Sequence, residues 1–270
     1  MTLPIASDVR SRPTLGVAII ALNARARLAQ CLQALSFADK IVVVDGGSTD
    51  GTIEIAKAHG AIVVSAPQWP GFGPQKNRAV TALDTDWILS IDTDEVVTPE
   101  LAVSIGEALA AARSNVYALD RLSNFCGRWM AHSGWRPDWV PRLFKRGTAR
   151  FSDDLVHERL VFDGSAAHLA GKLLHYSFDD FETVLRKIDA YSSAGAHQRL
   201  KAGRRQAGLR TAIVHGLWAF IKTYVTKGGF LDGRMGFVLA VSNAEGAYYR
   251  YLKLMLALER QPGSDDDHVS

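Results

Sequence analysis

Short apolar runs separated by stretches of helical spacing constrain this chain more than any other feature of its sequence. Leu15–Ala21, Lys40–Asp45 and residues 61–64 and 87–91 are continuous or nearly continuous apolar runs. A run without alternation is what a parallel strand buried on both faces requires. Between the runs, residues 25–35 set Leu28, Cys31, Leu32 and Leu35 at helical spacing. Residues 52–59 form a short helical segment that Gly60 stops. Residues 75–83 and 101–113 supply further helices, and residues 116–119 a fifth strand. This alternation predicts an α/β fold, a mostly parallel sheet with crossover helices. Ligands of such sheets bind beyond the carboxyl ends of the strands.

The 270 residues, 47% hydrophobic and 22% charged, suffice for one large α/β domain plus an appendage, or two small domains. A net charge of +3 suits anionic substrates or an anionic membrane surface and does not call for nucleic acid. The cysteines, Cys31 and Cys126, have no metal-ligand spacing, so no disulfide framework is expected and a reducing compartment is the default. The run from Leu15, followed by Ala24-Arg25-Ala26, has the outline of a secretory signal; Asp8 interrupts its positive region, and it reads equally well as a first strand. No stretch reaches the roughly 20 apolar residues that span a bilayer.

Two of the runs end in acids. Trp87-Ile88-Leu89-Ser90-Ile91 runs straight into Asp92-Thr93-Asp94-Glu95. Buried strands exclude acids, so these mark a place where the sheet meets solvent. Acids at i and i+2 on an extended chain point the same way, and Asp92 and Asp94 can share a divalent cation, Mg²⁺ or Mn²⁺, which in turn holds substrate phosphates. The alternative is a solubilising loop with Glu95 and Glu100 near a helix N-terminus. Asp45, at the end of the second run, opens Asp45-Gly46-Gly47-Ser48-Thr49-Asp50-Gly51-Thr52. Glycines here allow close backbone approach, and the following helix N-terminus favours anions, so Asp45, Gly47, Ser48 and Asp50 are candidates to hold a nucleotide. A capped βα turn is the plainer alternative.

Further candidates follow. Lys76 and Arg78 lie between the acid loops and can neutralise a diphosphate; a solvated helix face is the alternative. Residues 153–158 hold a second acid cluster, in which a partly buried acid could serve as a general base; a polar strand edge is the alternative. His175 lies in an apolar stretch, as a core histidine or a ligand. Residues 120–175 crowd tryptophans and arginines into loops and short strands, and from Asp179 the chain reads as helical. The basic stretch 197–210, followed by the apolar segment 211–224, reads as an amphipathic surface anchor on anionic lipid, or else as a solvated helix beside a packing helix.

In order, Val42-Val43-Val44-Asp45-Gly46-Gly47-Ser48-Thr49-Asp50-Gly51-Thr52, Lys76-Asn77-Arg78-Ala79 and Asp92-Thr93-Asp94 resemble the family 2 glycosyltransferases of GT-A fold. Arg142-Leu143-Phe144, Val156-His157-Glu158, Leu174-His175-Tyr176-Ser177 and Gly229-Phe230-Leu231-Asp232-Gly233 resemble a bacterial subgroup that glucosylates heptose in the lipopolysaccharide inner core. The resemblance implies a Rossmann-like GT-A domain over residues 14–178. A helical extension over 179–260 follows, with a disordered lead at 1–13 and a disordered tail at 261–270. Asp45 would bind uracil of a UDP-sugar; Asp92 and Asp94 would serve ribose, metal and diphosphate, with His175 a further metal or diphosphate contact. Lys76 and Arg78 would lie near the nucleotide, and Glu158 would be the base. Gly46 stands where many members carry a second Asp, and His157 where many carry Glu-Asp, so Asp154 stays a competitor.

The expected activity is a metal-dependent inverting transfer of a sugar, glucose being the expected one, from a UDP-sugar to a lipopolysaccharide or other lipid-linked acceptor. The expected place is the inner face of the cytoplasmic membrane. Transfer to a polyprenyl phosphate or exopolysaccharide, sugar nucleotidyl transfer, and a non-catalytic sugar-nucleotide binder are the alternatives.

Overall fold

The computed structural model describes residues 12–153, 158–204 and 207–260. In chain order it forms β1 (Leu15–Ala21), α1 (Arg25–Gln33), β2 (Lys40–Asp45), α2 (Thr52–Ala58), β3 (Ile62–Ser65), α3 (Phe72–Thr81), β4 (Trp87–Asp92), β5 (Glu95–Val97) and α4 (Pro99–Ala111). Then come β6 (Val116–Phe125), β7 (Arg128–Trp129), β8 (Trp139–Lys145), β9 (Ala149–Phe151), β10 (Leu160–Phe162) and β11 (Ala167–Phe178). The rest is α5 (Phe181–Lys201), α6 (Leu209–Ile221), a π turn at Lys222–Thr226, a 3₁₀ turn at Gly229–Asp232, and α7 (Arg234–Glu259). The expected disordered lead, apart from residues 12 and 13, and the expected disordered tail lie outside the described residues. The chain divides into two compact units. One runs to Arg121 and takes in Asp138–His175; the other holds Leu122–Pro137 and the chain from Tyr176 onward.

The first unit is a mixed α/β structure. Its sheet has the order β3-β2-β1-β4-β8-β6-β11-β5. The strands β3, β2, β1 and β4 run parallel, and the antiparallel pairs lie beyond them. The reason lies in β1, every residue of which is buried. Val17 and Ile19 enter one hydrophobic cluster and Ala18 and Ile20 the other, so β1 is covered on both faces, as its unbroken apolar sequence requires. The register sets Asp45 beside Ala21 and Asp92 beside Ile20, so β1 holds the two strand-end acids on either side of itself at the carboxyl end.

α3 starts at Phe72, earlier than the turn-like sequence Pro70-Gly71-Phe72-Gly73-Pro74 suggests. Pro74 falls in the first turn, where a backbone N–H has no helical acceptor in any case. Gly73 is required there, because a Cβ at that position would overlap the carbonyl oxygen of Ser152. The short strand β5 is not apparent in the sequence; it pairs with β11 and sets Glu95 opposite His175. Thr98 then caps α4, accepting from Leu101 N at 3.3 Å, a contact worth about 1 kcal/mol.

The second unit is mainly helical. Asp180 starts α5 by accepting from Thr183 N at 2.6 Å. α6 packs on α7 through small residues: a Cβ at Gly216 would meet Tyr248 Cβ at 3.2 Å and the Ala244 carbonyl oxygen at 3.3 Å. Asp232 is buried and accepts from Ala131 N at 3.0 Å, His132 N at 3.1 Å and Ser133 Oγ at 2.7 Å.

Candidate functional site

Asp45 ends β2 as a buried carboxylate. Its Oδ2 accepts from Gly47 N and Ser48 N, both at 2.9 Å. Its Oδ1 is buried without a partner among the described residues. A buried acceptor in that state costs free energy, and an N–H from a ligand would satisfy it. Gly47 has φ 99°, a left-handed conformation that favours glycine. Ser48 and Asp50 hold the turn together: Ser48 Oγ accepts from Asn23 N at 2.9 Å, and Asp50 accepts from Thr52 N and Arg25 N, both at 3.1 Å. Their hydrogen bonds are thus the structural ones of a capped turn.

Asp92 and Asp94 have different surroundings. Asp92 Oδ1 lies 2.9 Å from Lys76 Nζ, and Oδ2 lies 2.6 Å from Arg142 Nη2. Burial alone would raise this carboxyl, but Arg142 and Lys76 outweigh it and hold it well below the usual carboxylate range. Arg142 also lies 3.1 Å from Glu95 Oε1, while Glu95 Oε2 accepts from Asp92 N at 2.9 Å. Glu95 is fully buried, and burial raises its carboxyl above the ordinary value, with Arg142 opposing and Asp92 reinforcing. Burial disfavours the charge on Arg142, yet Asp92 and Glu95 together bind its proton more firmly than usual. Arg121 completes the network, 3.6 Å from Glu95 Oε1 and 2.8 Å from Asp138 Oδ2.

Asp94 stands apart from these cations, with its side chain 39% exposed and its Oδ2 3.4 Å from His175 Nε2. A carboxylate oxygen and an imidazole nitrogen side by side suit a divalent cation. Among the described residues no group of three or more His, Cys, Asp or Glu is arranged to hold a metal. The fit is therefore to an ion that takes two protein ligands and completes its shell with phosphate oxygens and water, the usual habit of Mg²⁺. Asp92 carries one cation on each oxygen, Lys76 on Oδ1 and Arg142 on Oδ2.

Lys76 links the acid loop to Glu158: its ammonium lies 3.1 Å from Glu158 Oε1 and 5.3 Å from the centre of the Phe151 ring. Asn77, the next residue, donates to and accepts from the Phe151 backbone at 2.9 Å, which fixes α3 against β9. Arg78 points elsewhere. Its Nη1 donates to the Gln68 carbonyl at 2.8 Å and to Gln75 Oε1 at 2.7 Å, bracing the loop before α3. Asp154 and His157 lie outside the described residues. The structure thus brings Lys76, Asp92 and Glu158 into one cluster, sets Asp94 with His175, and leaves Asp45 at the end of β2, on the other side of β1.

Arg142, Glu95 and Arg121 were not among the site residues expected from the sequence. The available signal is Arg142 itself, a charged residue inside Trp139–Lys145, where Leu143 and Phe144 are core. An arginine there needs a buried anion nearby. Cys31 lies behind the acid loop, its thiol 3.6 Å from the Asp92 carbonyl oxygen. Burial, then the charges of Glu95, Asp92 and Asp94, push the thiol far above its ordinary range, so it stays protonated and inert.

Strand-end acids around a parallel sheet, a cation joining one of them to Glu158, and a buried carboxylate oxygen without a partner among the described residues are features that suit a nucleotide ligand in an α/β fold. The model of glycosyl transferase family 2 matches residues 16–207, and the chain belongs to that family. An uncharacterized glycosyltransferase of Rickettsia prowazekii is 30% identical over 90% of this chain and 87% of its own length. The lipopolysaccharide core biosynthesis glycosyltransferase LpsC of Rhizobium meliloti is 29% identical over 92% of this chain and 95% of its own. A crystal structure of glucosyl-3-phosphoglycerate synthase from Mycobacterium tuberculosis, with Mn²⁺, UDP and glucosyl-3-phosphoglycerate, matches 42% of this chain and 44% of that one. The identity there is 27% and the TM-score 0.36.

Proposed function

We propose that this family 2 glycosyltransferase transfers a sugar, glucose by expectation, from a UDP-sugar to a heptose of the lipopolysaccharide inner core or a similar membrane-linked acceptor, with inversion. The observation that carries the reading is Lys76, whose ammonium touches both Asp92, at the end of β4, and Glu158. The likeness to LpsC over nearly the whole of both chains supports the acceptor class.

The residues divide the work by their chemistry. The unpartnered Oδ1 of Asp45 accepts an N–H of the donor's base. Asp92, kept ionised by Arg142, faces the ribose, and Lys76 lends positive charge to the diphosphate. Asp94 and His175 would hold Mg²⁺ or Mn²⁺, which when bound supplies charge to the leaving diphosphate. Glu158 takes the proton of the acceptor hydroxyl as its oxygen attacks the anomeric carbon. The sugar–phosphate bond breaks on the opposite face, and UDP leaves with the bonding pair. One carboxylate base suffices for such a single displacement. Asp154 is the competing base. The acceptor would be met at the inner face of the cytoplasmic membrane.

A screen for UDP release across UDP-sugars, with core lipopolysaccharide precursors as acceptors and Mn²⁺ or Mg²⁺ present, tests this. Acceptor-dependent UDP release supports it; donor binding without UDP release on any acceptor sinks it.

A further inference from the structure

Helix α6 is built inside out. Its packing face toward α7 is made of small residues, with Ala212 and Gly216 buried. Its large apolar residues point to solvent: Leu209 is 53% exposed, Ile213 52%, Val214 63%, Leu217 60% and Trp218 56%. An ordinary surface helix does the reverse, turning its large apolar residues to the core. Close approach through small residues is how helices pack when their outer faces meet lipid.

The exposed apolar surface continues past the helix. Val225 in the π turn, Phe230 and Leu231 in the 3₁₀ turn and Phe237 in α7 are all about half exposed. Ring contacts join them: Tyr224 packs edge-on against Phe230 and Phe237, and Phe220 against Phe237. Monomers seldom present so extended an apolar surface unless it meets a partner or a membrane.

The charges around it identify the occupant. Arg210, Lys222, Lys227 and Arg234 are exposed. The one acid from residue 207 to residue 244 is Asp232, which is buried and fully engaged by the backbone of residues 131–133. Large apolar side chains among exposed cations, with Asp232 buried and the next acid along α7, Glu245, half-buried, match an anionic lipid surface, where the apolar groups enter the acyl boundary and the cations meet headgroups. Among the described residues no helix is long and apolar enough to cross a membrane, so the face would lie in one leaflet.

We infer that the outward face of α6, with the turns after it and the start of α7, is a monotopic docking surface for an anionic bilayer. The inference deepens, and rests on, the membrane-linked acceptor proposed for this enzyme. It also changes which residues carry the anchor. The basic stretch 197–210 gives Arg210 to the rim, while Arg199 is half-buried with its guanidinium over Tyr251.

The test is flotation of the full chain with vesicles of phosphatidylethanolamine and phosphatidylglycerol, against vesicles of phosphatidylcholine. The expected result is about tenfold or more enrichment on the anionic vesicles, reduced by high salt. L217E/W218E is expected to abolish it at unchanged melting temperature, and K222E/K227E to abolish the preference for anionic lipid. Wild-type protein that stays in solution with anionic vesicles overturns the inference, as does equal flotation of L217E/W218E. So does a lipid-free dimer that L217E/W218E dissociates, because a second copy would then be the occupant. Should L217E/W218E melt early, K222E/K227E and the salt series decide alone. Calorimetric titration of UDP with Mn²⁺ on the same samples separates the two claims: lost flotation with intact UDP binding sinks only the docking surface, and the converse sinks only the donor site.

Discussion

The Lys76 ammonium lies nearly fully buried 2.9 Å from Asp92 Oδ1, which itself stays partly open to solvent, so the end of β4 is tied to α3 by an ion pair with a shielded cation. The same ammonium reaches Glu158 at 3.1 Å. A single cation therefore fixes the strand-end acid assigned to the donor and the carboxylate assigned to the acceptor's proton.

Glu158→Gln keeps the shape of that contact and removes the base. Turnover is expected to fall by roughly 10²–10⁴-fold, the usual contribution of general base catalysis, while donor binding survives. Steady-state UDP release and calorimetry on the same variant check this. Near-normal turnover would eliminate Glu158 and leave Asp154.

Asp94→Ala and His175→Ala remove the two side chains that lie 3.4 Å apart. Each is expected to weaken UDP binding in the presence of Mn²⁺ and to leave the metal-free affinity unchanged. Titrations with and without Mn²⁺ give the difference directly. An equal loss in both conditions would place the pair outside the metal's shell.

Arg142→Met strands Asp92 and the fully buried Glu95 without their shared cation. Breaking a buried pair from one side costs about 3–5 kcal/mol. At a few degrees per kcal/mol for a chain of this size, a fall of roughly 10 °C in melting temperature is expected by calorimetry. A shift of a degree or two would show that the network is not a structural element.

The same network sets an acid dependence. The folded-state value of Asp92 is depressed, so its stabilising contribution is fully present above the unfolded carboxyl's value, about 4, and is lost as pH falls toward the folded value. Asp92→Asn removes that contribution. The stability gap between wild type and variant in urea is expected to hold from pH 7 to pH 5 and to narrow below pH 4. Glu95 acts in the opposite sense, because its raised value makes ionisation cost stability as pH rises.

Strands β1, β2 and β4 were legible because each is buried on both faces and therefore unbroken in its apolar sequence. Asp45 and Asp92 were legible because acids cannot continue such a strand. Neither β5 nor the pairing of Glu95 with His175 was, since three residues carry no periodicity and the partner lies far along the chain. Arg142 was hidden for a related reason: its anions are distant in sequence and meet it only when β8 lies against β4. The exposed face of α6 reads in sequence like any apolar helix, and only the buried Ala212 and Gly216 show that its large side chains point outward.

The most direct test of the account is the identity of the small molecule released when the chain meets a nucleotide-sugar, Mn²⁺ and a heptose-containing core acceptor. UDP is expected, formed one for one with a glycosylated acceptor of inverted anomeric configuration, and almost none from Glu158→Gln. Release of pyrophosphate from UTP and a sugar phosphate, or retention of configuration in the product, would contradict it.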